Sequence, residues 1–123
     1  MIIETKQAPA AIGPYSQARK EKGFLFVSGQ LGIDVEKGGL ADNVEAQAHN
    51  SMKNIGAILK EAGADYANIV KTTIFLKDLN DFAAVNQVYQ CYFANDLYPA
   101  RSCIEVSKLP LGGLVEIDAI AVL

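Results

Sequence analysis

The chain contains no tryptophan, one histidine, two cysteines and four prolines. Two cysteines, Cys91 and Cys103, are too few for a disulfide framework, so both are expected as free thiols. One histidine beside two cysteines offers no zinc-ligand spacing. Neither common glycine-rich phosphate loop occurs, and no metal or organic cofactor is expected. Lys and Arg total 11 against 14 Asp and Glu, giving a net charge of −3. Phosphate-backbone binding draws on clustered cations, so nucleic acid is not an expected partner. No apolar run approaches the roughly twenty residues of a membrane span. Residues 1–6 lack the basic-then-apolar pattern of a secretion signal, and the cytoplasm is the expected compartment.

What is present is apolar bulk and alternation. Half of the 123 residues are hydrophobic, which suits one domain, residues 1–123, with one core. Residues 18–22 and 24–28 flank Gly23 and read as a hairpin. Ser28-Gly29-Gln30-Leu31-Gly32 follows directly. Two glycines around a polar pair read plainly as a β-bulge, and they also permit a ligand to approach the main chain. Upstream, Tyr15 leaves a small-residue loop and reads as a buried ring with its hydroxyl satisfied.

The spacing predicts a helix over 42–62. Asp42 and Glu45 form a capping pair, Val44, Ala48, Met52, Ile55, Leu59 and Ala62 recur at helical intervals, and Gly63 terminates the run. His49 lies off that stripe, toward Lys53, and is expected on the solvated side. Residues 69–77 alternate as a strand. A second helix is predicted over 82–93, capped by Leu79-Asn80-Asp81, with Phe82, Val85, Val88, Tyr89 and Tyr92 as its apolar face. Beside that face Asn86 reads as an exposed amide and Cys91 as a packed or idle thiol. Helices joined to strands by long crossovers favour one sheet with both helices on one face, and the sheet's other face would stay apolar and bare.

The chemistry concentrates in the last third. Pro99 biases Tyr98 to extended geometry, and the strand after it alternates: Arg101, Cys103 and Glu105 on one face, Ser102, Ile104 and Val106 on the other, expected toward the core. A connection over 107–114 leads to a closing strand over 115–122. So short a link favours an antiparallel pair, with Glu116 opposite either Cys103 or Glu105 and on the face of Arg101. Arginine grips a carboxylate by two parallel hydrogen bonds, and Glu116 beside it would be a candidate general base.

The run YPARSCIEV followed by VEIDAIAV resembles the RidA subgroup of the YjgF-type family of enamine/imine deaminases. APAAIGPYSQA near the start, FVSGQLGID after it and KTTIFLKDLNDFAAVN in the middle strengthen that resemblance, in the family's order. The resemblance implies an α+β fold: a single mixed β-sheet with two helices packed on one face, chorismate-mutase-like, assembling as a homotrimeric barrel with sites in the clefts between subunits. It implies hydrolysis of 2-aminoacrylate-type enamines and 2-imino acids, released by pyridoxal-phosphate-dependent dehydratases, to 2-keto acids and ammonia. In that reading Arg101 anchors the substrate carboxylate, Glu116 positions and deprotonates water, and the Cys103 thiol hydrogen-bonds that water. Tyr15, Ser28, the Gly29 backbone and Asn86 line the pocket. The alternative is a non-catalytic regulator that binds keto or amino acids in the same Arg101 pocket. A ribonuclease, attached to relatives of this kind, fits poorly with an acidic pI of about 5.0 and a single histidine.

Overall fold

Period-two alternation puts one apolar row per strand on a common face: Leu25 and Val27, then Ile74 and Leu76, then Val115, Ile117, Ala119 and Ala121, all buried. The computed structural model describes all residues, Met1–Leu123. The strands are β1 (Ile2–Ile3), β2 (Ala18–Glu21), β3 (Phe24–Leu31), β4 (Ile33–Asp34), β5 (Gly39–Leu40), β6 (Ile69–Leu76), β7 (Ala100–Glu105) and β8 (Val115–Val122). The helices are α1 (Val44–Glu61) and α2 (Phe82–Gln90). Six strands form the main sheet in the order β1-β2-β3-β8-β6-β7, and β4 and β5 pair separately as a small ribbon. Only β6 and β7 run parallel. Both helices cover one face, where Met52, Ile55, Ile58 and Leu59 of α1 and Val85, Val88 and Tyr89 of α2 join the strand rows in one core. No helix is long and apolar enough to cross a membrane.

The helix ends differ slightly from the sequence reading. Asn43, not Asp42, caps α1, its side chain accepting from the Ala46 amide at 2.8 Å. The second helix stops at Gln90, and the chain then turns through Asn95 and Asp96, both at φ 55. His49 is not solvated. It is half-buried, with Nδ1 2.8 Å from the Tyr92 hydroxyl, so it ties α1 to the turn after α2. Helix α1 also buries Gln47 and Asn54. Asn54 donates to the carbonyls of Leu31 and Ile33, and Gln47 accepts the Leu114 amide just before β8. A Cβ on Gly32 would fall 2.4 Å from the Gln47 Cα, so only glycine lets α1 lie this close to the end of β3.

The larger correction concerns the last two strands. β7 does not pair with β8. It pairs in parallel with β6, Arg101 opposite Thr72 and Cys103 opposite Ile74, while β8 inserts between β3 and β6. Helix α2 is the crossover that parallel strands require, and the 107–114 connection carries the chain past the end of β6. Lys77 donates to the Leu114 carbonyl there, and Val106 to that of Leu76. The faces follow from this register. Arg101 and Cys103 share the helix-covered face with Thr72 and Ile74, whereas Ile104 is exposed on the open face. Glu116, opposite Phe75 and Leu31, also lies on the open face. Arg101 and Glu116 therefore stand on opposite faces of one sheet, on strands two places apart.

Candidate functional site

Two clusters carry the chemistry. The first forms where β7, the sheet's edge strand, meets α2. Phe82, Asn86 and Tyr89 fall at i, i+4 and i+7, hence on one side of α2. The Arg101 guanidinium carbon lies 5.0 Å from the Tyr89 ring centroid and 5.4 Å from that of Phe82. One nitrogen, Nη1, donates to Asn86 Oδ1 at 2.7 Å. The only ion pairs in the molecule join Glu21 to Arg19 and to the N-terminus, so no carboxylate neutralises Arg101. Asn86, Tyr89, Gln90, Tyr98, Pro99 and Arg101 line a cavity of about 510 Å³. A half-buried cation with unspent donors at the wall of a cavity is suited to an anionic ligand.

Cys103 lies two residues further along the same face, packed against the core. Burial pushes its thiol up, and the nearby Arg101 charge opposes this in part. The thiol is thus held protonated at neutral pH, as a hydrogen-bonding group rather than a thiolate. Glu105, the third residue of the row, is occupied elsewhere: Oε1 accepts the Leu79 amide at 2.9 Å, steadying the turn before α2. Cys91 is exposed and donates to the Gln87 carbonyl.

The second cluster lies on β3 and β8. The β3–β8 register slips between Val27 and Gln30, so Ser28 and Gly29 form the bulge that the glycine-flanked run suggests. The bulge meets Glu116: a Cβ on Gly29 would sit 2.5 Å from Oε2 of that carboxylate. Burial raises the Glu116 pKa, and the negative charge of Asp118, two residues on along the same face, raises it further. Ser28 donates its hydroxyl to the Ser16 carbonyl at 2.6 Å, which ties the segment of Tyr15 to the bulge. Tyr15 is not the buried ring of the sequence reading. It is exposed, and its hydroxyl accepts the Ile12 amide at 3.4 Å. The fold thus gathers Arg101, Asn86 and Cys103 in one place and Ser28, Gly29 and Glu116 in another, with Tyr15 tied to the second. Within one chain the two places do not meet. The rings of Phe82 and Tyr89 escaped the sequence reading as site residues, because their spacing with Asn86 equally describes a core stripe.

A family model described as endoribonuclease L-PSP matches residues 5–123. The chain belongs to this family. The match takes in all the motifs that carry the YjgF-type resemblance. A RutC family protein of Synechocystis sp. is 54% identical, over 99% of this chain and 95% of its own. The 2-iminobutanoate/2-iminopropanoate deaminase of Mus musculus is 50% identical, over 98% of this chain and 90% of its own. Among solved structures, the crystal structure of E. coli TdcF with bound serine superposes with a TM-score of 0.95 at 43% identity, covering 100% of this chain and 98% of that one.

Proposed function

We propose that this protein hydrolyses small 2-imino acids and their enamine tautomers, 2-aminoacrylate among them, to 2-keto acids and ammonia. We propose further that it does so in clefts between the subunits of a homotrimer. The observation that carries the reading is Arg101: a cation without a carboxylate partner, stacked on two rings, bonded to one amide oxygen and opening on a cavity. Relatives at half identity over nearly the whole chain bear the deaminase name, and a structural neighbour holds an amino acid.

The chemistry follows from the groups at hand. Arg101 binds the substrate carboxylate by two parallel hydrogen bonds. Glu116, ionised, takes a proton from water as the oxygen attacks the imine carbon, and the C=N π pair moves to nitrogen. The Cys103 thiol hydrogen-bonds that water. The resulting carbinolamine collapses. Glu116 returns the proton to nitrogen, and the C–N bond then breaks as the hydroxyl O–H pair forms the carbonyl. Glu116 takes up that hydroxyl proton and passes it to the departing ammonia, which leaves as ammonium beside the keto acid. General acid–base help suffices, because a protonated imine carbon is already electrophilic. A binder that only sensed keto acids would gain nothing from a carboxylate near its ligand, which favours the enzyme over the regulator. The ribonuclease of the family's description finds no support at Arg101: the lone His49 is bonded to Tyr92 instead.

A site between copies reconciles Arg101 and Glu116 lying on opposite faces. The open face of the sheet exposes Phe24, Phe26, Val70, Ile104 and Val122, an apolar surface suited to another copy. Light scattering should give about three times 13.2 kDa. The decisive test is complementation. Arg101→Ala and Glu116→Gln proteins, each inactive alone, are unfolded together, refolded and assayed for ammonia and keto acid beside a threonine dehydratase. If each site takes Arg101 from one copy and Glu116 from the next, the mixture regains roughly a quarter of wild-type activity. A mixture as inactive as its parts sinks the shared site.

Gly29→Ala turns the flexible Glu116 carboxylate aside without touching the core. It should lower kcat roughly tenfold or more while leaving the Kd for pyruvate near wild type. Unchanged kcat would remove Glu116 from the reacting centre.

A further inference from the structure

Arginines are commonly oriented by carboxylates, and Arg101 has none. Its position is set by α2. Phe82 and Tyr89 lie against the guanidinium, and Asn86 takes one donor. Tyr89 differs from Phe82 in being itself immobilised: it is buried, and its hydroxyl is 2.7 Å from the hydroxyl of Thr72, which is fully buried on the strand next to Arg101. Burial pushes the Tyr89 hydroxyl up, so it stays neutral and keeps this bond. Phe93 packs on Tyr89 at 4.9 Å between centroids, bracing the ring further. A guanidinium over an aromatic face is attracted by the ring's quadrupole and gives up none of its N–H donors in doing so.

We propose that Tyr89 is a positioning residue for the deaminase: its ring, pinned through Thr72, holds the Arg101 guanidinium so that its unspent donors meet the ligand carboxylate in the cavity that both residues line. The proposal rests on the functional reading above. It assigns to Tyr89 a part in anchoring the substrate and none in the proton transfers.

The test uses the full chain, with assembly checked by light scattering. Pyruvate is titrated calorimetrically, and KM and kcat are measured in the coupled imine assay. Tyr89→Leu removes the ring and should raise the Kd for pyruvate and KM together, roughly 3- to 30-fold, with kcat within about twofold of wild type. Tyr89→Phe keeps the ring but loses its bond to Thr72, so it should raise the Kd for pyruvate by less than Tyr89→Leu does, about two- to threefold. A rise as large as that in the leucine variant overturns the role of the ring. Phe82→Leu, at the exposed side of the same platform, should weaken pyruvate in the same direction and stands in for Tyr89→Leu if that variant does not fold. The proposal is overturned if Tyr89→Leu binds pyruvate as wild type does, or if kcat falls as far as KM rises. Should the leucine variant not fold, wild-type binding by Phe82→Leu overturns it. Arg101→Ala separates the two levels. If Arg101→Ala loses pyruvate while the ring variants keep it, only the role of Tyr89 falls; if Arg101→Ala keeps pyruvate, the functional reading falls with it.

Discussion

Arg101→Ala loses both pyruvate binding and imine turnover, by roughly 30- to 1000-fold in kcat/KM. This corresponds to the 2–4 kcal/mol or so expected when a charge-assisted contact is removed from a partly desolvated site. The contact is made to the carboxylate in ground and transition states alike, so Kd and KM rise along with any loss in kcat. Lysine at this position rescues little. An ammonium cannot make the two parallel hydrogen bonds of the guanidinium while it lies over Phe82 and Tyr89 and donates to Asn86. The variant should remain folded, because Arg101 is half-exposed on an edge strand and forms no ion pair. Calorimetric titration with pyruvate and 2-ketobutyrate, beside the coupled assay, measures both losses. Normal keto-acid binding by Arg101→Ala would move the site elsewhere on the molecule.

Glu116→Gln gives the opposite signature: turnover falls by roughly 100- to 10,000-fold while pyruvate still binds. Binding should tighten modestly, because a negative charge near the ligand carboxylate is gone. Wild-type turnover in this variant would end the general-base assignment. The pH dependence supplies a second check. Burial and Asp118 both raise the Glu116 pKa above its ordinary 4.5, and the base works only when ionised. The acid limb of kcat/KM should therefore lie above that value, and Asp118→Asn should move it to lower pH by removing a like charge. For stability the sign is set by the same shift. The folded state holds this proton more tightly than the unfolded chain, so the associated stability is present below the unfolded pKa and is lost as pH rises through the folded one. Glu116→Gln removes that loss, and its melting temperature should exceed the wild-type value at neutral pH, the gap closing toward pH 4 or so.

The local elements and the inventory of chemistry are legible in the order of residues alone. The stripe of Val44, Ala48, Met52, Ile55 and Leu59 makes α1 and buries one side of it, because helical spacing is a property of consecutive residues. The hairpin about Gly23 and the bulge at Ser28–Gly29 are likewise local, and both are present. Arg101, Cys103 and Glu116 stand out as residue types whether or not they meet. What they meet depends on the packing of distant segments. Alternation says that a strand has two faces without saying which one a helix will cover, and Ile104 looked inward only until α2 was laid on the face of Arg101. A short connection suggested that β7 and β8 are neighbours. The parallel β6–α2–β7 crossover instead fills the edge beside β6 and leaves β8 to the centre of the sheet. The partners of Arg101 come from a helix, those of Glu116 from a bulge on the neighbouring strand β3, and His49 finds Tyr92 across the gap between helices. Such pairings depend on which distant segments share a core, and that is settled by packing rather than by any spacing along the chain.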